Sequence, residues 1–172
     1  MKIALILVAA VIALVLVVLL IGAALPREHV VSRHAVLHRS ADELYKVVRD
    51  FHSAPTWRPD LERVEVIPAS DNRVRFREHG KNGAVTYELV EDQPDKEMVT
   101  RIVDEDLGYS GTWTYSFTKE ADGIRVEITE RGDVPNILFR FMSRFVFGHS
   151  ATIEQYLAAL SRRFGEESPP RS

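Results

Sequence analysis

Cysteine is absent from all 172 residues, which excludes disulfides, thiolate catalysis and cysteine-based metal sites. It also excludes a lipid anchor carried on a lipobox cysteine. There is no surplus of basic charge either. Lysine and arginine number 22 against 25 acidic residues, a formal net charge of −3, so the electrostatic footprint of a nucleic-acid-binding protein is missing. No glycine-rich phosphate loop and no G-x-S-x-G elbow occurs, which leaves nucleotide-dependent and serine-hydrolase chemistry without support. No internal repeat is visible.

One further absence is local. From Ile3 to Leu25 there is no charged or strongly polar residue. At ~1.5 Å rise per residue, a helix of that length crosses a hydrocarbon core of roughly 30 Å. The run exceeds the ~7–15 residue apolar core of a secretory signal, which favours an uncleaved single-pass membrane anchor. The rival reading is a cleaved signal, with Gly22 and Ala24 as the small residues before the cut and Lys2 as the positive flank. A buried core helix is excluded by the lack of any polar face. Arg27, Arg33 and Arg39 follow the run and Lys2 precedes it, a balance that leaves the side of the membrane undecided.

What is present beyond the anchor is mostly strand. His29 to His38 carries Val30, Val31, Val36 and Leu37 without a helical period. Ser40-Ala41-Asp42-Glu43 is a capping-box pattern, and Leu44, Val47, Val48 and Phe51 follow at helical spacing, predicting a short amphipathic helix. From Leu61 the period becomes two. Six strands are predicted at 61–68, 73–79, 84–91, 98–104, 109–118 and 124–131, separated by short Gly, Asn, Asp and Pro turns. Connections this short require antiparallel neighbours. Tyr109, Gly111, Trp113, Tyr115 and Phe117 share one face of their strand while serines and threonines share the other, so one sheet face is apolar and the other wet.

Leu138, Met142, Phe145, His149, Ile153, Tyr156, Leu160 and Phe164 recur by threes and fours. They predict one long C-terminal helix, from Pro135 to Phe164, covering the apolar sheet face. Ile137, Phe139, Phe141, Val146 and Phe147 add apolar area off that stripe, with Arg140 and Arg144 between them. Such a segment suits a bilayer surface, or burial on several sides.

This order of elements resembles the START-like, or SRPBCC, superfamily and its polyketide cyclase/dehydrase-like branch. The likeness is carried by Ser40 to Phe51 followed by Trp57, by Gly111-Thr112-Trp113-Thr114-Tyr115, and by Ile128-Thr129-Glu130-Arg131-Gly132 leading into the long helix. It covers about residues 29 to 164, and the membrane run departs from it, since most members are soluble. The resemblance implies an α+β helix-grip fold, a curved antiparallel sheet of about seven strands around a long C-terminal helix, with a cavity for lipids, sterols, polyketides or other apolar molecules. The expected organisation is a transmembrane anchor and linker over 1–27, a helix-grip ligand-binding domain over 28–165 and a disordered tail over 166–172.

The residues expected at that cavity are Trp57, Phe76, Glu78, Tyr87, Trp113, Tyr115, Glu130, Met142, Phe145 and His149. The aromatics could equally fill a core. Glu78 and Glu130 continue inward rows by alternation, where a carboxylate must be paired, protonated or wet. They are the candidates for acid–base work, against a structural pairing with an arginine such as Arg77 or Arg140. His34 and His38 share a strand face but lie about 13 Å apart at ~3.3 Å per residue, and His29 points the other way, so no metal site is expected. No cofactor is implied. The leading reading is a membrane-tethered binding or transfer domain for a hydrophobic small molecule or lipid. Its rivals are an enzyme of the cyclase/dehydrase type and a ligand-free interaction or chaperone-like domain.

Overall fold

In a computed structural model, residues 2–68, 73–81, 83–148, 150–167 and 170–171 are described, without the side chains of 146 and 147. Helix α1 (Lys2–Ala24) is followed by β1 (Glu28–Leu37), α2 (Ala41–Arg49), β2 (Leu61–Ile67), β3 (Arg75–Gly80), β4 (Gly83–Gln93), β5 (Glu97–Ile102), β6 (Ser110–Glu120) and β7 (Gly123–Asp133). Helix α3 (Ile137–Met142), a π turn (Ser143–Phe147) and α4 (Ala151–Arg163) complete the chain. The strands form one seven-stranded antiparallel sheet in the order β1-β7-β6-β5-β4-β3-β2. Register shifts at Leu61/Arg63 and Leu89/Glu91 bend the sheet, because an extra residue on one strand kinks it and increases its twist.

Helix α2 begins as its sequence requires. The Ser40 hydroxyl accepts from the Glu43 amide, and the Glu43 carboxylate accepts in return from the Ser40 amide at 3.0 Å. Its Leu44, Tyr45 and Val48 are buried. The inward rows of the strands are Ala35 and Leu37 on β1, Met98 on β5, Tyr115 and Phe117 on β6, and Ile124, Val126 and Ile128 on β7. Against them α4 buries Ile153, Tyr156, Leu157 and Leu160.

The C-terminal helical segment is in two pieces. Gly148 has φ +71°, a left-handed conformation that only glycine adopts without strain, and it separates the π turn from α4. The downstream half of the apolar stripe packs on the sheet. Upstream, Leu138 and Phe145 are exposed, at 51% and 59%, because α3 turns away from the sheet and meets the end of α1. Gly22 is the buried residue of α1, and a Cβ there would stand 2.3 Å from the Ile137 carbonyl oxygen. Beyond α4, Glu166 accepts from the amide of His38, just past β1, and Arg171 exchanges backbone hydrogen bonds with His34 of β1 at 2.8 and 2.9 Å.

Candidate functional site

The concave face of the sheet leads to a charged group that its strand pattern does not advertise. After α2 a single 3-10 turn, Ala54–Thr56, is stopped by Thr56 and Arg58 bonding back, with the Arg58 amide donating to the Ala54 carbonyl at 2.8 Å. That turn directs the Arg58 side chain inward, where it is 8% exposed. Its guanidinium donates to Glu78 Oε1 at 2.6 Å and to Asp60 Oδ2 at 2.6 Å, and lies 4.9 Å from the Tyr156 ring centroid. Glu78 reaches it from the inward row of β3, one step past Phe76.

Two connected spaces flank this cluster. The inner one, about 40 Å³, is lined by Phe76, Glu78, Tyr87, Thr100, Trp113 and Tyr115, with Arg58 and Thr152 at its edge. It has room for little more than a water molecule or two. The outer one is an open cleft of about 770 Å³ between the β3–β4 hairpin, the start of β2 and α4, and shares Arg58, Glu78, Tyr87 and Thr152 with the inner space. Leu107, Tyr109, Gln155, Ala158, Lys81 and Arg162 complete its walls. Its volume falls within the ~300–1,000 Å³ typical of small-molecule sites.

Burial sets the protonation states. It pushes the Glu78 carboxyl up, and the nearby Arg58 charge only partly offsets it. Burial opposes the Arg58 charge as well, but Glu78 and Asp60 outweigh it and the guanidinium stays ionised. Burial likewise raises the phenols of Tyr87, Tyr115 and Tyr156, which therefore remain neutral hydroxyl groups. The cluster thus offers a fixed cation, a carboxylate whose proton affinity is increased, and hydroxyls at the edge of an aromatic wall. Such a set can orient a carbonyl or hydroxyl of an otherwise apolar molecule.

Of the residues expected from sequence, Phe76, Glu78, Tyr87, Trp113 and Tyr115 come together around the inner space. Trp57 packs edge-on against Tyr156, with ring centroids 5.2 Å apart, one layer behind it. Glu130 does not join Glu78. It lies near the far end of β7, where its carboxylate accepts from His29 Nε2 at 3.1 Å, a contact allowed by Gly132, where a Cβ would overlap the His29 ring. Met142 lines neither space, because it belongs to α3. Phe145 lies on the π turn, packs on Phe141 at 5.0 Å and otherwise faces out. His149 lies outside the described residues. Arg58 and Asp60 escaped the sequence reading, since charges flanking Pro59 beside Trp57 look like any solvated loop. The signal that could have pointed to them is Glu78, which needed a cation.

Residues 28–165 match the family described as polyketide cyclase/dehydrase and lipid transport. No curated protein matches the chain in sequence. Among solved structures it is similar to norcoclaurine synthase from Thalictrum flavum (TM-score 0.64, 12% identity, 80% of this chain and 86% of that one). It is also similar to a START superfamily protein from Mycobacterium smegmatis (0.62, 18%, 78% and 96%) and to the Zhui aromatase/cyclase from Streptomyces sp. R1128 (0.60, 14%, 79% and 93%). The chain spans about half, 52%, of the di-domain aromatase/cyclase StfQ of the steffimycin pathway, which it matches at TM-score 0.62 and 13% identity. At such identities the likeness is one of fold. The family match over 28–165, together with a seven-stranded sheet closed by α4, shows that the chain belongs to the polyketide cyclase/dehydrase and lipid transport family.

Proposed function

We propose that this protein is a membrane-anchored binding or transfer domain for a hydrophobic small molecule or lipid. The observation that carries the reading is the buried Arg58–Glu78 pair at the junction of an open cleft and an aromatic wall. A buried ion pair at the bottom of a cleft is costly unless it serves a structure or a ligand, and here it faces a cleft of about 770 Å³, ample for a small molecule. The ligand's apolar body occupies the cleft and its polar group meets Arg58, Glu78 and Tyr87. Helix α1 is long and apolar enough to cross a bilayer, and on this reading it does so as an uncleaved anchor, with residues 28–165 as the ligand-binding domain.

Thr152 is exposed at the start of α4 yet lines both spaces. Thr152→Trp therefore fills the mouth without disturbing the core. Native mass spectrometry of the full chain released from detergent should show one apolar adduct per chain in the wild type and little in T152W. A wild-type chain without adduct, or an adduct indifferent to T152W, overturns the reading.

A second reading, a cyclase/dehydrase-type enzyme, is favoured by one observation, the increased proton affinity of Glu78. Under it, Glu78→Gln abolishes turnover of a bound ligand while leaving the adduct in place.

A further inference from the structure

A second pocket, about 330 Å³, opens on the opposite side of the domain, where the end of α1 meets β1, α3 and the π turn. Its walls include Leu25, Arg27, His29, Arg140, Ser143 and Arg144. Three of these six are arginines, and they are not equivalent. Arg27 is neutralised by Asp133, with Nη2 to Oδ2 at 2.7 Å. Among the described residues Arg140 donates to neutral backbone carbonyls, of Leu25 and of Pro135, both at 3.0 Å. Its Nε is buried with no acceptor among the described residues. Arg144 is exposed and makes no ion pair with a described residue. Asp133, whose charge also acts on Arg140, is hydrogen-bonded by Arg27, and His29 is engaged by Glu130.

The position of the pocket says what anion would reach it. With α1 across a bilayer, its 23 residues extend roughly 35 Å, a little more than the ~30 Å hydrocarbon core. Its last turn, and the Leu25 carbonyl that holds Arg140, then lie at headgroup depth. Beside the pocket, Ile137, Leu138 and Phe139 are 38%, 51% and 38% exposed on α3. An apolar surface flanked by arginines that no described carboxylate bonds fits acyl chains and their headgroups together at that level.

We infer that this juxtamembrane pocket binds the phosphodiester headgroup of an anionic phospholipid, held by Arg140 and Arg144. The guanidinium of Arg140 supplies the paired N–H donors that phosphate oxygens accept, and Arg144 closes over the headgroup from the π turn. The inference rests on the anchored reading of α1, not on the ligand proposed for the cleft.

The test uses the full chain in neutral detergent, titrated with phosphatidylglycerol, phosphatidylcholine or inorganic phosphate and followed by native mass spectrometry. The wild type should retain phosphatidylglycerol in preference. Arg144→Gln, at an exposed position that costs no packing, should weaken that retention about fivefold, and R140Q/R144Q roughly 30-fold, from about 1 kcal/mol per charge near the membrane surface. Arg63→Gln, at the distant exposed edge of β2, should change nothing. Equal retention of the two lipids, or an unaffected R144Q, overturns the inference. Binding of inorganic phosphate without lipid preference overturns the lipid assignment. The same spectra give the intact mass: a chain shortened near Ala24 refutes the anchor and the inference with it, whereas an intact 19.5 kDa chain without lipid preference refutes the inference alone.

Discussion

Arg58 joins three elements through one guanidinium: Asp60 at the entry to β2, Glu78 on β3 and the Tyr156 ring on α4. Removing it strands Glu78 where burial already resists ionisation. Breaking a buried pair from one side costs about 3 kcal/mol or somewhat more, whereas replacing both partners with packed apolar groups is often close to neutral. Arg58→Gln should therefore destabilise the protein by about 3 kcal/mol in chemical denaturation, and R58M/E78L should recover most of that loss. If the double variant is as unstable as the single, Asp60 and Tyr156 rather than Glu78 set the worth of Arg58. Glu78 was legible in sequence because a period-two row carried it inward. Arg58 was not, because its partner is 20 residues away and nothing local distinguishes it from a loop charge. Glu130 shows the converse: its inward placement was legible, but its partner, His29, lies 101 residues away.

Among the elements, β6 and β7 follow their alternation and α2 follows its capping box, since each obeys forces confined to a few neighbouring residues. Helix α4 buries Ile153, Tyr156 and Leu160 as their spacing demands. The continuous helix from Pro135 does not form, because Gly148 takes a positive φ that resets the phase, and a threes-and-fours count cannot register it. What decides the upstream half is tertiary: α3 docks on α1 at Gly22. That contact leaves no space for a side chain. Gly22→Val should lower the stability of the full chain in neutral detergent by about 1–3 kcal/mol through overpacking. Ala10→Val, on the exposed body of the same helix, should leave the melting temperature where it was. Equal melting of the two variants would mean that α1 and α3 do not stay packed.

For the whole molecule, the convex side of the sheet governs behaviour in acid. Glu88 is 2% exposed beneath Arg73, Arg75 and Arg101. The Arg75 hydrogen bond above all, with help from Arg101 and Arg73, holds its carboxyl below the ordinary 4.5 despite burial. Asp133 is held low in the same way by Arg27. A lowered folded value means that these groups stabilise fully above the unfolded one, and that the contribution is lost as pH falls through the folded one. Glu78 has the opposite sign, its raised value costing stability as pH rises through it. Thermal melts between about pH 5 and pH 3 should fall steeply for the wild type. Glu88→Gln should start lower at neutral pH, with Arg73, Arg75 and Arg101 deprived of the carboxylate they share, and descend less steeply across that window. Parallel descents would assign acid unfolding to other carboxylates.

Between Ala24, where α1 ends, and Glu28, where β1 begins, stand Leu25, Pro26 and Arg27. Three residues reach about 10 Å at full extension, and Arg27 and the Leu25 carbonyl are themselves tied down, to Asp133 and Arg140. On the anchored reading, such a leash permits rotation at one leaflet but no excursion from it. The protein then cannot act as a ferry between two membranes. Whatever it lifts must go back into the same leaflet or pass to an acceptor that comes to it, so its natural kinetics are those of a fixed landing stage whose traffic is limited by lateral diffusion and by the visitor's concentration.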